Sequence, residues 1–166
     1  MCYLHFDICG KKGAGKSSLL SRFVNNSFDE LCCETNGIHM GVKKVSVDGR
    51  YINLYIWDSY LYSKVDSYPI SNFKSVDGFV FVFDCTDERA IEDILEWQKK
   101  VEQEGQTHIP KLLLSNKCDM ECDRVISRLS AVRLAEKYKM EFFEVSAKNS
   151  SQVELAFLTL TALLLS

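Results

Sequence analysis

Residues 10–17 read Gly-Lys-Lys-Gly-Ala-Gly-Lys-Ser and directly follow an apolar stretch, residues 4–9, that has the pattern of a strand. A glycine followed after four residues by Gly-Lys-Ser is the spacing of a phosphate-binding loop. Glycines let backbone N–H groups converge on phosphate oxygens, and the helix that follows adds the positive end of its dipole. Because residues 17–24 have a helical pattern, this interpretation is favoured over a surface turn rich in glycine and lysine.

The side chains of this loop have distinct predicted roles. Lys16 supplies a charge to the outer phosphates, and the Ser17 hydroxyl is placed to bind Mg²⁺. The other predicted phosphate contacts are Gly13, Ala14, Gly15 and Ser18.

The composition of the chain restricts its class. Its 166 residues fit one domain, residues 1–166, long enough to bury about two thirds of the surface of the unfolded chain. A hydrophobic content of 46% and a charged content of 26% are typical of globular proteins, and a net charge of −3 does not indicate nucleic-acid binding. The longest nearly apolar run, residues 155–165, is shorter than the roughly 20 residues of a membrane span, so we expect a core helix.

Cysteine usage indicates a reduced, cytoplasmic chain. The seven cysteines form no C-x-x-C pair, and the sequence shows no signal peptide. A metal site built from Cys32, Cys33 and His39 is disfavoured against ordinary loop cysteines, because the sequence has no second spaced pair of ligands.

Hydrophobic periodicity predicts an α/β fold. Residues 42–47 and 51–57 alternate around a turn at Asp48 and Gly49, which is the pattern of an antiparallel hairpin. Later strands are short continuous apolar runs, typical of a parallel sheet covered on both faces. We therefore predict a six-stranded, mostly parallel sheet with one antiparallel edge hairpin and about five helices on its two faces. The later strands are expected at residues 79–83, 111–114 and 142–145, and the later helices at residues 88–103, 130–139 (behind an N-cap serine) and 151–165.

The first strand carries two polar residues, His5 and Asp7, although it is expected to be buried on both faces. We expect these groups to be paired or satisfied locally. In such sheets ligands bind at the carboxyl ends of the strands, so several strand-end loops are expected to share one face. These loops follow Cys9, Phe83, Ser115 and Val145.

Two short motifs after predicted strands specify a base. The Asp119 carboxylate can accept hydrogen bonds from the ring N–H and the amino group of guanine, whereas adenine presents no such pair of donors. Asn116 is expected to hold the surrounding loops, the Lys117 stem to lie along the base, and the Ala147 N–H to donate to the guanine carbonyl. The predicted base contacts are Asn116, Lys117, Asp119, Ser146, Ala147 and Lys148.

With these motifs in order, the chain resembles a small GTPase of the Ras superfamily, specifically of its Rab branch, over residues 3–165. The Rab character comes from Trp57-Asp58 at the end of the third strand, from residues 146–157, and from Thr-Asn-Gly-Ile at residues 35–38, where Rabs typically read Thr-Ile-Gly-Val. The resemblance implies a P-loop NTPase fold of the small G-protein type, with GTP or GDP as ligand and Mg²⁺ as cofactor.

The resemblance also implies roles for individual residues. Phe28 matches the aromatic residue that packs across the guanine, and Asp58 matches the carboxylate that holds magnesium through water. Thr35 matches the threonine that completes magnesium coordination and senses the outer phosphate. The implied metal-binding residues are therefore Ser17, Thr35 and Asp58, and the implied catalytic residues are Lys16 and Thr35.

The resemblance fails at residues 58–63, which read Asp-Ser-Tyr-Leu-Tyr-Ser where the family reads Asp-Thr-Ala-Gly-Gln-Glu. Leu61 replaces a glycine whose N–H contacts the outer phosphate, and its Cβ restricts the backbone. Tyr62 replaces the glutamine that orients the attacking water, and a rigid phenol lacks the paired donor and acceptor of an amide. We therefore expect very slow intrinsic hydrolysis of GTP. Hydrolysis assisted in trans stays open, because Rab-activating proteins supply a glutamine as well as an arginine.

The phosphate loop departs from the Rab pattern at Lys11 and Lys12, where Rabs usually carry small or acidic residues. Lys12 is predicted to project toward the site of attack, where it would repel an incoming arginine or replace part of its charge. Two solvated lysines are the alternative. Residues 35–40 and 57–68 are expected to contact effectors, exchange factors and activating proteins.

The sequence thus predicts a Rab-like regulator of intracellular vesicle traffic with weak intrinsic GTP hydrolysis. The alternative is a pseudo-GTPase scaffold that binds guanine nucleotide without switching or hydrolysis. An ATP-using phosphotransferase is disfavoured by Asn116 and Asp119. We expect a cytoplasmic monomer. Residues 1–166 do not include the C-terminal lipidation tail of Rabs, and we expect contact with endomembranes only if the full-length protein carries such a tail.

Overall fold

The computed structural model describes residues 2–30, 39–58 and 75–166. Within them, six strands form one sheet in the order β2-β3-β1-β4-β5-β6. Only β2 and β3 are antiparallel, and the other neighbouring strands run parallel. The predicted α/β sheet with an antiparallel edge hairpin is confirmed. The strands are β1 (Cys2–Cys9), β2 (His39–Val47), β3 (Arg50–Asp58), β4 (Gly78–Asp84), β5 (Lys111–Asn116) and β6 (Glu141–Glu144).

The helices lie on both faces of the sheet. The described ranges contain four α-helices and a 3-10 helix at Glu121–Asp123, where the sequence predicted about five helices. None of the described helices combines the length and the apolar character that crossing a membrane requires. The α-helices are α1 (Lys16–Asn25), α2 (Ala90–Gln103), α3 (Arg128–Lys137) and α4 (Val153–Leu165).

β4 shows why the central strands are continuously apolar. Val80 and Val82 belong to the hydrophobic cluster that includes the buried faces of α1 and α4. Phe79, Phe81 and Phe83 belong to the opposite cluster, which includes the buried faces of α2 and α3. Every one of these side chains is buried, so both faces of the strand require apolar residues.

The limits of α3 differ from the prediction of residues 130–139. Ser127 is its N-cap, and its Oγ accepts a hydrogen bond from the Ser130 N–H at 3.1 Å. The helix therefore begins at Arg128, because the capping serine lies earlier in the chain than the predicted start. It ends before Lys139, whose φ of 55° is left-handed and incompatible with a continuing helix.

Two other helices start two residues later than predicted. α2 begins at Ala90 rather than at residue 88, and α4 begins at Val153 rather than at residue 151. Gln152 has a left-handed φ of 54°, which delays the start of α4. The hairpin turn is where the sequence placed it, since Asp48 and Gly49 both have positive φ, as a tight turn between twisted strands requires.

The prediction that β1 is buried on both faces is wrong for its first half. Tyr3 is 62% exposed, and the His5 ring is only half-buried. His5 stacks on Tyr55 of the neighbouring strand, with ring centroids 5.2 Å apart and an interplanar angle of 18°. On the same face of the sheet, α2 packs mainly on β4 and α3 packs mainly on β6, and the start of β1 stays exposed at Tyr3.

Further along β1, Asp7 is buried, with 4% of its surface exposed. Burial raises the pKa of its carboxyl group well above the ordinary value, and the negative charge of Asp58 on the neighbouring strand raises it further. Folding therefore favours the protonated, neutral form of Asp7.

This raised pKa predicts that ionisation of Asp7 lowers the stability of the folded protein by an amount that depends on pH. Between the pKa of the unfolded chain and the higher folded pKa, the folded state binds the extra proton, so stability falls as pH rises through that window. The variant Asp7→Asn cannot ionise there. We expect its free energy of unfolding to exceed the wild-type value near neutral pH by on the order of 1–3 kcal/mol. The difference shrinks as pH is lowered toward the unfolded value of about 3.9.

Urea unfolding from roughly pH 4.5 to pH 8 measures this difference. Asp48→Asn is the matched control, because Asp48 is exposed in the hairpin turn and asparagine tolerates its left-handed backbone. A wild-type protein that gains stability over Asp7→Asn as pH rises would contradict the expectation.

Candidate nucleotide site

The loop between β1 and α1 has a geometry that requires glycine at its end. Gly15 is the N-cap of α1 with φ 90°, and a Cβ there would collide with the side-chain amide of Asn116. The Ala14 N–H donates to the Lys11 carbonyl at 3.1 Å, which closes a turn. The Lys16 side chain folds back over the loop, and its Nζ donates to the same carbonyl at 3.0 Å. A buried ammonium therefore lies inside the loop, at the positive end of α1.

A hydroxyl and a carboxylate meet beside this loop. Ser17 Oγ donates to Asp58 Oδ2 at 2.5 Å. Asp58 ends β3 and is fully buried, and its Oδ1 accepts no hydrogen bond from the residues that the structure describes. A buried carboxylate oxygen in this state is costly, and oxygen ligands of these two kinds suit Mg²⁺. The pair fits the predicted metal ion, while the third predicted ligand, Thr35, lies outside the described residues.

The Asn116 side chain joins two loops. It is buried at the end of β5, and its Nδ2 donates to the Ala14 carbonyl at 2.9 Å. Its Oδ1 accepts a longer hydrogen bond, 3.4 Å, from the Ala147 N–H. The phosphate loop and the loop after β6 are thereby fixed relative to the end of β5.

Lys117 makes a second connection to the phosphate loop. Its Nζ donates to the Gly13 carbonyl at 3.0 Å and forms a 2.6 Å ion pair with Asp84. Asp84, which the sequence analysis did not select, also accepts hydrogen bonds from the backbone and the hydroxyl of Thr86. Its position at the carboxyl end of β4 was the feature that could have identified it.

The Asp119 carboxylate is oriented by Ser146. The fully buried Ser146 donates from Oγ to Asp119 Oδ1 at 2.6 Å, and the same Oγ accepts from the Asn149 N–H at 3.2 Å. A carboxylate held by such a charge-assisted hydrogen bond is preorganised for other donors.

These loops surround a cavity of about 570 Å³. Of the predicted contact residues that the structure describes, all but Ala14 and Ser146 line this cavity. The Ala14 carbonyl accepts a hydrogen bond from Asn116, and the Ser146 hydroxyl donates one to Asp119. The site residues at the wall are Gly13, Gly15, Lys16, Ser17, Ser18, Phe28, Asp58, Asn116, Lys117, Asp119, Ala147 and Lys148, joined by Lys12, Asp29, Glu30 and Met120.

An ion pair crosses one side of this cavity. Lys148 Nζ lies 2.6 Å from Glu30 Oε1, and the hydrogen bond to Glu30 raises the pKa of Lys148. Both side chains are more than half exposed, so the pair contributes little to stability. It nevertheless connects the segment after Phe28 to the loop after β6.

The two additional lysines of the phosphate loop differ in their surroundings. Lys11 Nζ lies 3.1 Å from Asp87 Oδ2 and 3.5 Å from Asp93 Oδ2, and the hydrogen bond to Asp87 raises its pKa. It therefore attaches the phosphate loop to α2 and is not simply solvated. Lys12 lines the cavity.

Several predicted residues lie outside the described residues. They are Cys32, Cys33, Thr35, Leu61 and Tyr62, together with the side chain of His39 and the parts of the predicted partner surfaces at residues 35–38 and 59–68.

Comparisons with known proteins agree with this geometry. The sequence model of the Ras family matches residues 6–166. Ras-related protein Rab-13 of Canis lupus familiaris is 35% identical over 153 residues, covering 92% of this chain and 75% of the relative. Rab-10 of Diplobatis ommata and Rab-8B of Pongo abelii are each 33% identical over 153 residues, covering 92% of this chain and 76% and 74% of the relatives. A family match over nearly all of the chain, on a P-loop sheet of the expected topology, shows that the chain belongs to the Ras family and is a Rab-like small GTPase.

Proposed function

We propose that this chain is a GTP- and GDP-dependent regulator of intracellular vesicle traffic that binds its nucleotide, with Mg²⁺, in the cavity of the candidate site. One observation carries the proposal: the buried Lys16 ammonium, the Ser17–Asp58 pair and the oriented Asp119 carboxylate all line the same cavity. The first two suit a phosphate with its cation, and the third suits a base with two adjacent donors.

At the phosphate end, Lys16 and the N–H groups of the glycine-rich loop bind the phosphate oxygens. Ser17, Asp58 and Thr35 hold Mg²⁺, which when bound neutralises charge on the phosphates. Lys16 is also proposed to stabilise the charge that develops during hydrolysis.

At the base end, Asp119 accepts from the two guanine donors, and Phe28 packs on the ring. The Ala147 N–H is proposed to donate to the guanine carbonyl. Its present bond to Asn116 is long, 3.4 Å, so a shorter bond to a ligand replaces it at little cost.

The proposed partner surface includes residues 35–40 and 57–68, through which effectors and regulators bind. In its described part, Met40 pairs with Trp57 across β2 and β3, and both side chains are exposed, by 44% and 37%. This exposed apolar pair supplies part of the contact area that a protein partner would bury.

Intrinsic hydrolysis is proposed to be very slow, because Leu61 and Tyr62 replace the glycine and glutamine of the family. The same replacements support the alternative function, a scaffold that holds guanine nucleotide without switching or hydrolysis.

We expect Asp119→Asn to exchange guanine for xanthine specificity. The amide still accepts from one donor and can donate to the additional carbonyl of xanthine, whereas the carboxylate would repel that carbonyl. GDP affinity should fall by at least about 100-fold and XDP affinity should rise, as measured by competition with a fluorescent nucleotide.

Asp123→Asn, at an exposed carboxylate nearby in the chain, is the control and should leave both affinities unchanged. Equal affinity of the wild-type protein for ATP and GTP would refute the assignment of the base.

We expect the double variant Leu61→Gly/Tyr62→Gln to gain GTPase activity. The wild-type single-turnover rate should lie below the roughly 10⁻⁴ per second of unassisted Ras, and the double variant should approach that value. Tyr68→Gln introduces a glutamine elsewhere in the same segment and should not raise the rate. No gain in the double variant would show that these two residues are not what limits hydrolysis.

We also expect the nucleotide to control the proposed partner surface. Hydrogen exchange at residues 35–40 and 57–68 should be slower with a non-hydrolysable GTP analogue than with GDP, because the outer phosphate supplies an additional contact. Exchange at α3, remote from the phosphates, serves as the internal reference. Equal protection with both nucleotides would favour the scaffold.

A further inference from the structure

Arg22, which the sequence analysis did not select, joins α1 to the loop after β6. Its Nε donates to the Ala147 carbonyl at 2.7 Å, and its NH2 donates to the Lys148 carbonyl at 2.8 Å. Its NH1 donates to the carbonyl and to the side-chain oxygen of Asn26, both at 3.1 Å. Four of the five N–H donors of a guanidinium are therefore used, on two separate segments of the chain.

The loop held by Arg22 forms a wall of the nucleotide cavity, where Ala147 and Lys148 both lie. A carbonyl oxygen that turned toward the cavity would repel the carbonyl oxygen of guanine and would be left without a donor. Arg22 binds the two carbonyl oxygens that follow the Ala147 N–H. On the N-terminal side of the Ala147 Cα, the N–H itself donates to Asn116, and the preceding residue, Ser146, is held by its hydrogen bond to Asp119.

We propose that Arg22 is a positioning residue for guanine recognition. By binding the carbonyls of Ala147 and Lys148, its guanidinium keeps acceptor oxygens out of the cavity and keeps the Ala147 N–H available to the carbonyl oxygen of the base. The role rests on the proposed function, because it concerns the same cavity and the same ligand.

The planar fork of the guanidinium is essential to this role. Nε and NH2 bind two successive carbonyls at once, and this geometry fixes the orientation of two peptide planes. A lysine ammonium at the same position would keep the charge near the C-terminal end of α1 but would not reproduce the paired geometry.

Affinities for three nucleotides distinguish a role of Arg22 in base recognition from a general contribution to the stability of the fold. GDP carries both the carbonyl oxygen and the amino group of guanine, and IDP lacks the amino group. 2-Aminopurine riboside diphosphate lacks the carbonyl oxygen and, with it, the ring N–H, so each variant is compared with the wild-type protein for the same nucleotide. In Arg22→Gln, the affinities for GDP and IDP should both fall by about 10-fold, because the Ala147 N–H is no longer held in place to donate to the carbonyl oxygen of the base. The affinity for the 2-aminopurine nucleotide should change by less than about 2-fold, because it makes no contact that Arg22 positions.

Two variants accompany the measurement. Asn26→Gly keeps the left-handed backbone at φ 52° and removes only the side-chain acceptor at the end of α1, so its affinities should stay at wild-type values. Arg22→Lys should keep the selective loss, because it preserves the charge without the fork. Thermal unfolding of each variant shows whether it remains folded at the assay temperature.

The outcomes distinguish the two proposals. If Arg22→Gln weakens all three nucleotides equally, or if Arg22→Lys restores full GDP affinity, Arg22 does not position the base-binding N–H. If the wild-type protein binds none of the three, the proposed guanine-nucleotide function itself fails. A selective loss for GDP and IDP in a folded variant supports the positioning role.

Discussion

The candidate site depends on one buried amide, the side chain of Asn116. It has 1% exposure at the end of β5, and it contacts both the phosphate loop at Ala14 and the base loop at Ala147. An amide can do this because it carries a donor and an acceptor on one planar group. Gly15 is constrained by the same amide, since any Cβ there would meet it. Asn116 thus links the phosphate loop, through the 2.9 Å bond to Ala14, and the base loop, through the longer bond to Ala147, to the carboxyl end of β5.

Buried ionisable side chains are concentrated at this cavity and beside it. Lys16, Asp58 and Asp7 are all nearly or fully buried. Burying charged groups costs free energy unless they are paired and hydrogen-bonded. The Lys16 ammonium donates to the Lys11 carbonyl, and one Asp58 oxygen accepts from Ser17. The other Asp58 oxygen, Oδ1, accepts no hydrogen bond from the described residues, and a bound cation would offset the cost of burying it.

The phosphate loop of this chain is held by more contacts than its glycine pattern suggests. Lys11 connects it to Asp87 and Asp93, and Lys117 connects it to Asp84. Both connections run to the segment that begins at the end of β4. The loop, the end of β4 and the start of α2 are therefore coupled by side-chain charges, and substitutions in any of them would affect the shape of the phosphate end.

Periodicity predicted the sheet and the hairpin turn, because it is a local property of the chain, while the motifs together with the family resemblance identified most, but not all, of the side chains that line the cavity. The sequence did not locate the start of α3 at Arg128, since two serines, Ser127 and Ser130, lie near that position and only Ser127 caps the helix. It also could not predict the bonds of Arg22 to Ala147 or of Asp84 to Lys117, because these partners lie 125 and 33 residues further along the chain. Such contacts form only in the folded molecule, since the parallel crossovers of the sheet bring remote strand ends together and thereby select which charged groups and carbonyls come into contact.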